Sequence, residues 1–195
     1  MNQEAVLGDR IQELRSNRRR PILVALDGGS GAGKSTLARA VGAEHGAAVI
    51  DGDDFYAGGT AAEWDAMSAA EKAAHCIDWR RQRPVLETLS QGRPASWHPY
   101  DWETDDGRVL ERPIDCQPAP VVILEGVYSA RPELADLVHL RVLCDTPAET
   151  RRQRIVEREG GDDRIEWNRR WEEAEQWYFG RVMPRTSFDL VLPAL

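Results

Sequence analysis

The chain has 195 residues, a length that suits one domain with a sizeable core, and its 42% hydrophobic content is ordinary for a globular protein. A net charge of −8 argues against nucleic acid or an anionic membrane surface as a partner, since both recruit basic surfaces. Three scattered cysteines without a Cys-x-x-Cys pair suggest neither a disulfide framework nor a zinc site.

The N-terminus is polar, with no secretory apolar stretch, and no run approaches the ~18 apolar residues of a membrane helix. A cytoplasmic setting is therefore expected. Val6, Leu7, Ile11 and Leu14 recur at helical spacing, predicting an amphipathic helix over 3–15. The Arg18-Arg19-Arg20 run that follows reads as a solvated helix end. Residues 22–26 are a continuous apolar run, the mark of a fully buried strand, and a glycine-rich turn leads into a helix over 35–43. A short strand over 47–50 ends in Asp51-Gly52-Asp53-Asp54.

Helices are predicted over 61–75 and 84–91, the second with Pro84 in its first turn. Residues 95–115 read as an aromatic-bearing hairpin with an Asp105-Asp106-Gly107 turn. A third buried strand covers 121–124, and a fourth lies within 137–144. A helix over 147–159 with Thr146 as its cap is broken by Gly160-Gly161. A helix over 165–182 and a strand over 188–192 complete the chain. Apolar strands alternating with helices predict a single α/β domain over 1–195, its mostly parallel sheet covered on both faces.

Gly28-Gly29-Ser30-Gly31-Ala32-Gly33-Lys34-Ser35 sits between a buried strand and a helix, the context a phosphate-binding P-loop requires. Its glycines let successive backbone N–H groups converge on one anion, and the helix N-terminus carrying Thr36 adds its free donors. Only two lysines occur in the chain, and Lys34 is one of them, placed where the motif needs a slim ammonium to reach the outer phosphates. The Ser35 hydroxyl is the candidate magnesium ligand. No Asn-Lys-x-Asp motif points to guanine specificity, so the prior favours ATP.

Acidic residues stand at the strand ends, where ligands gather in open α/β sheets. Asp53 can orient a hydroxyl toward a γ-phosphate and organise metal; Asp51 is the alternative, and at least one of Asp51, Asp53 and Asp54 is expected to cap the turn. Glu125, ending the third strand, suits a magnesium-side acid. Arg151, Arg154 and Arg158 share one helical face and could meet charge on a transferred phosphoryl group.

Taken in order, the P-loop, Asp53-Asp54-Phe55-Tyr56, Ile77-Asp78-Trp79, Pro99-Tyr100-Asp101-Trp102, Val122-Ile123-Leu124-Glu125-Gly126 and the run Cys144 to Arg151 resemble the uridine kinase and phosphoribulokinase group of P-loop kinases, especially uridine–cytidine kinases. The resemblance runs from about residue 21 to 193 and implies a P-loop NTPase fold and an ATP- and Mg²⁺-dependent phosphotransferase acting on the hydroxyl of a nucleoside-like or sugar-like small molecule. It implies that Asp53 accepts the hydroxyl proton, that Tyr56, Asp78, Tyr100 and Trp102 surround the acceptor with Arg158 nearby, and that a lid over about 158–168 moves over the site.

The pattern departs at Asp105, which stands where that family carries a base-reading histidine. Vitamin acceptors (pantothenate-like or nicotinamide riboside-like), an already phosphorylated nucleoside, and a non-catalytic ATP-binding regulatory module are the alternative readings. The oligomeric state, a homo-oligomer included, is left open.

Overall fold

A computed structural model describes residues 2–104, 107–159 and 165–194. Asp105 and Asp106 of the expected hairpin turn lie outside the described residues, as do Gly160, Gly161 and Arg164 of the expected lid.

A five-stranded parallel sheet forms the centre, as expected of apolar runs buried on both faces. Its strands are β1 (Ile22–Asp27), β2 (Ala47–Asp51), β5 (Val121–Glu125), β6 (Leu140–Asp145) and β7 (Leu190–Pro193), in the spatial order β2-β5-β1-β6-β7. Two short antiparallel strands, β3 (Ala95–Trp97) and β4 (Ile114–Cys116), make the base of the hairpin. Strand alternation sorts the core into two layers. Ile22, Val24 and Leu26 of β1 face α1 (Gln3–Ser16) and α2 (Lys34–His45). Leu23 and Ala25 face the opposite layer with α5 (Trp79–Ser90) and α7 (Ile165–Trp177). The remaining helix after β6 is α6 (Ala148–Glu159).

Three predicted helices change shape. The stretch over 61–75 splits into α3 (Ala61–Asp65) and α4 (Ala69–His75), because Thr60 with Glu63 and Ser68 with Glu71 each close a capping box and start a helix of their own. The next helix begins at Trp79, five residues earlier than expected, because Asp78 caps it by accepting from the Arg80 N–H at 3.0 Å. Pro84 consequently lies inside α5. The third, α7, ends at Trp177 and passes into a π-helical turn over Tyr178–Val182. At the start of α6, the Thr146 hydroxyl donates to the Ala32 carbonyl at 3.1 Å and so fastens this helix to the P-loop.

Asp27, the last residue of β1, is fully buried. Its carboxylate accepts from the N–H groups of Gly28 (2.8 Å), Tyr128 (3.0 Å) and Ala130 (3.0 Å) and from the Tyr178 hydroxyl (2.9 Å). Burial pushes its carboxyl up to about 6, against the pull of these donors and of Lys34, so it is ionised at neutral pH. Tyr128 is held at φ 69°, a left-handed conformation that a bulky residue adopts only when its surroundings fix it.

Asp27→Ala leaves four donors without their acceptor and should cost at least about 3 kcal/mol in urea unfolding, against about 1 kcal/mol for Tyr178→Phe. Equal losses would show that the carboxylate is no more than one hydrogen-bond partner among others.

Candidate active site

The P-loop turns from β1 into α2 through Gly33, whose φ of 92° is open to glycine and strained for other residues. No side chain caps α2, so its first N–H groups remain available to an anion. Lys34 is buried and its Nζ donates to the Gly29 carbonyl at 3.1 Å, folded back over the loop. An added Cβ at Gly29 would lie 2.5 Å from the Arg151 guanidinium and 2.7 Å from Glu175, so a larger residue here would displace that ion pair.

A cleft of about 370 Å³ opens over the loop, lined by Lys34, Ser35, Thr36, Asp53, Glu125, Arg154 and Arg158 among others. A second cleft, of about 310 Å³, lies against Tyr56, Trp102, Trp167, Trp171 and Glu175. The two share Asp53, Val127 and Arg158. A group bound in one cleft therefore faces a group bound in the other across Asp53.

The three acids after β2 have separate places. Asp51 accepts from the Asp53 N–H at 2.9 Å and caps the 3-10 turn Gly52–Phe55. Asp54 accepts from the Trp97 indole at 2.8 Å and ties the hairpin down. Asp53 points into both clefts. It is exposed to solvent, yet the protein packed around it removes part of its hydration. That loss, with the Asp51 charge, pushes its carboxyl up to about 6, while Lys34 and Arg158 pull it down.

Glu125 is buried at the end of β5, level with Asp51 in the sheet register, and the Ser35 side chain hydrogen-bonds it. Burial pushes Glu125 up to about 7, with Asp51 and Asp53 adding repulsion. Carboxylates crowded beside a hydroxyl at a P-loop make a donor set that suits a hard divalent cation with few protein ligands and several waters or phosphate oxygens. No group of three or more His, Cys, Asp or Glu side chains arranged around a metal occurs among the described residues.

Of the arginine face, Arg154 and Arg158 reach the P-loop cleft. Arg151 does not. Its guanidinium donates to the Ser30 carbonyl and to Glu175, both at 3.0 Å, behind the loop. Among the expected acceptor-side residues, Tyr56 and Trp102 line the second cleft and stack at 4.9 Å. Tyr100 is buried behind them, edge-on to Tyr56 at 4.9 Å, and Asp78 is engaged as the α5 cap; neither is among the lining residues.

The sequence reading missed Trp167, Trp171, Tyr128 and Glu175, which complete the second cleft. The spacing of 167, 171 and 175 along one helical face was the available signal. The buried Trp171 indole N–H has no hydrogen-bond partner among the described residues.

Comparison with known proteins agrees with this architecture. The Zeta toxin family model matches residues 5–58, the part that holds the P-loop and Asp53. A uridine kinase of Deinococcus deserti is 29% identical over 137 residues, 68% of this chain and 65% of that protein. The chain thus matches just under two thirds of that relative's length. A uridine kinase of Halobacterium salinarum is 27% identical over 165 residues, 83% of this chain and 71% of that one.

Among solved structures, a putative fructose transport system kinase from Silicibacter sp. TM1040 superposes with a TM-score of 0.72 at 20% identity, covering 99% of this chain and 100% of that one. A possible uridine kinase from Bacillus stearothermophilus gives 0.66 at 20% identity, covering 96% and 99%. The chain has the P-loop kinase fold and resembles the uridine kinases. The solved structures differ in the substrates their names carry, so at such identities they speak for the fold alone.

The electrostatics of Glu125 give a stability test without metal. Its carboxyl is ionised in both folded and unfolded states above pH 7 and protonated in both below about 4.5, so the cost of charging it in the fold grows as pH rises through that window. Glu125→Gln should therefore stabilise the metal-free protein by roughly 1–3 kcal/mol at pH 8 and change little at pH 4.5. Destabilisation by thermal unfolding at pH 8 would contradict the cost of burying this charge.

Proposed function

We infer that this protein is an ATP-dependent small-molecule kinase that transfers the γ-phosphoryl group to a hydroxyl of an unphosphorylated, nucleoside-like acceptor. The observation that carries the reading is the meeting of two clefts at Asp53, one floored by a P-loop and the other walled by aromatic rings.

The aromatic wall favours an acceptor with a flat ring, since Tyr56, Trp102, Trp167 and Trp171 line this cleft. A sugar-like acceptor without a ring system would leave this wall unused.

In this reading the P-loop N–H groups and Lys34 hold the donor phosphates, and Ser35 and Glu125, with Asp53 beside them, hold Mg²⁺. The cation, when bound, neutralises charge on the phosphates. Asp53 orients the acceptor hydroxyl and takes its proton as the oxygen bonds to the γ-phosphorus and the bond to the leaving ADP oxygen breaks. Arg154 and Arg158 face the cleft in which charge on the transferred group must be met.

Asp53→Asn should lower turnover by about 10²–10⁴-fold with nucleotide affinity nearly unchanged. The base must be ionised, and its free-protein value is about 6, so kcat/KM should fall tenfold per pH unit below that point and level off above it. Wild-type turnover in the variant, in a coupled ADP-release assay, would remove Asp53 from this role.

A further inference from the structure

The ridge of α7 that walls the second cleft also touches the P-loop. Trp167, Trp171 and Glu175 stand four residues apart on one face of the helix. The two indoles pack edge-to-face at 5.4 Å and line the aromatic cleft. One turn on, Glu175 accepts from the Ser30 N–H at 2.9 Å and the Ser30 hydroxyl at 2.6 Å. It is buried and ion-paired with Arg151 at 3.0 Å, and Arg151 in turn donates to the Ser30 carbonyl. Every polar group of Ser30 is thereby engaged by α7 or by an arginine held by α7.

The same helix is anchored at its middle and just past its C-terminal end. Arg170 forms a two-pronged pair with Asp65 of α3, at 2.6 and 2.8 Å, and Tyr178 just past the helix donates to Asp27 beneath the P-loop. A strut fixed in this way transmits displacement of its indole face to the loop rather than absorbing it. Ser30 lines the P-loop cleft and Glu175 lines the aromatic one, so their hydrogen bonds cross from one cleft to the other.

We propose that Glu175 is a positioning residue that couples the two clefts: phosphate seated on the P-loop is registered at the Trp167 and Trp171 wall through Ser30, Glu175 and the α7 ridge. By linkage, an acceptor seated against that wall orders the loop for the donor. The proposal rests on the two-cleft kinase reading above, and it adds a residue that acts through the loop and does not touch the reacting atoms.

The test uses the full chain with MgATP as the probe and needs no acceptor. Calorimetry measures nucleotide binding while tryptophan fluorescence is followed in the same titration, with Trp167→Phe/Trp171→Phe assigning the signal. In the wild type, ATP should change the emission of Trp167 and Trp171 in step with the heat of binding. Glu175→Ala should lose most of that change while ATP affinity weakens by no more than about tenfold, the scale of one or two lost hydrogen bonds. Glu175→Gln, which keeps one acceptor, should restore part of the change.

Ser30→Ala removes the hydroxyl from the loop side and should also shrink the signal, which keeps the test open if Glu175→Ala does not fold. Heat of binding with unchanged emission in the wild type, or a full emission change in Glu175→Ala, would overturn the coupling alone. Absence of any heat with ATP in the wild type would overturn the nucleotide reading, and the coupling with it.

Discussion

One buried carboxylate organises this protein. Asp27 lies at the end of the central strand with no access to water, and it is satisfied by donors from the P-loop, from the turn after β5 and from the residue that follows α7. A buried charge of this kind is tolerable only when its lone pairs are filled. The requirement therefore fixes three chain segments about one point, two of them cleft-lining, and holds Tyr128 in a conformation it would not choose alone. The clefts inherit their geometry from that point.

A second constraint is the crowding of acids at the carboxyl edge of the sheet. Burial and the Asp51 charge raise the proton affinity of Asp53 and Glu125, and Lys34 only partly offsets them. Charge is thus stored in the free protein against the arrival of cations. Stability spent at a ligand site is a common feature of enzymes, and here it falls on residues whose neighbours are backbone donors and a P-loop lysine. The same edge explains why three nearby acids can do different work. One caps a turn, one anchors an indole, and one is left facing the clefts.

The parallel sheet and the P-loop were legible in the sequence because both are written locally, as apolar runs and as a glycine-lysine pattern between a strand and a helix. Asp53 was legible as one of a cluster, but its separation from Asp51 depends on a 3-10 turn that no spacing rule specifies. Arg151 shares a helical face with Arg154 and Arg158, yet its partner Glu175 stands on the next helix, 24 residues on, and that contact turns it behind the loop. Asp78 caps α5 and so moves its start five residues earlier, a role that a string of residues does not separate from ligand binding. Trp167 and Trp171 escaped notice for the opposite reason: tryptophans four apart on a helix read as core until the cleft beside them is seen.

The kinase reading stands or falls on whether a phosphate ester is made. The direct measurement is phosphorus NMR of the protein with ATP and Mg²⁺, run against a panel of nucleosides, ring-bearing vitamins, sugars and nucleoside monophosphates. The two-cleft account predicts a new phosphomonoester resonance, matched by ADP, with an unphosphorylated ring-bearing alcohol. Persistence of the ATP resonances with every acceptor, alongside tight ATP binding, would contradict it and leave a nucleotide-binding regulatory module in its place.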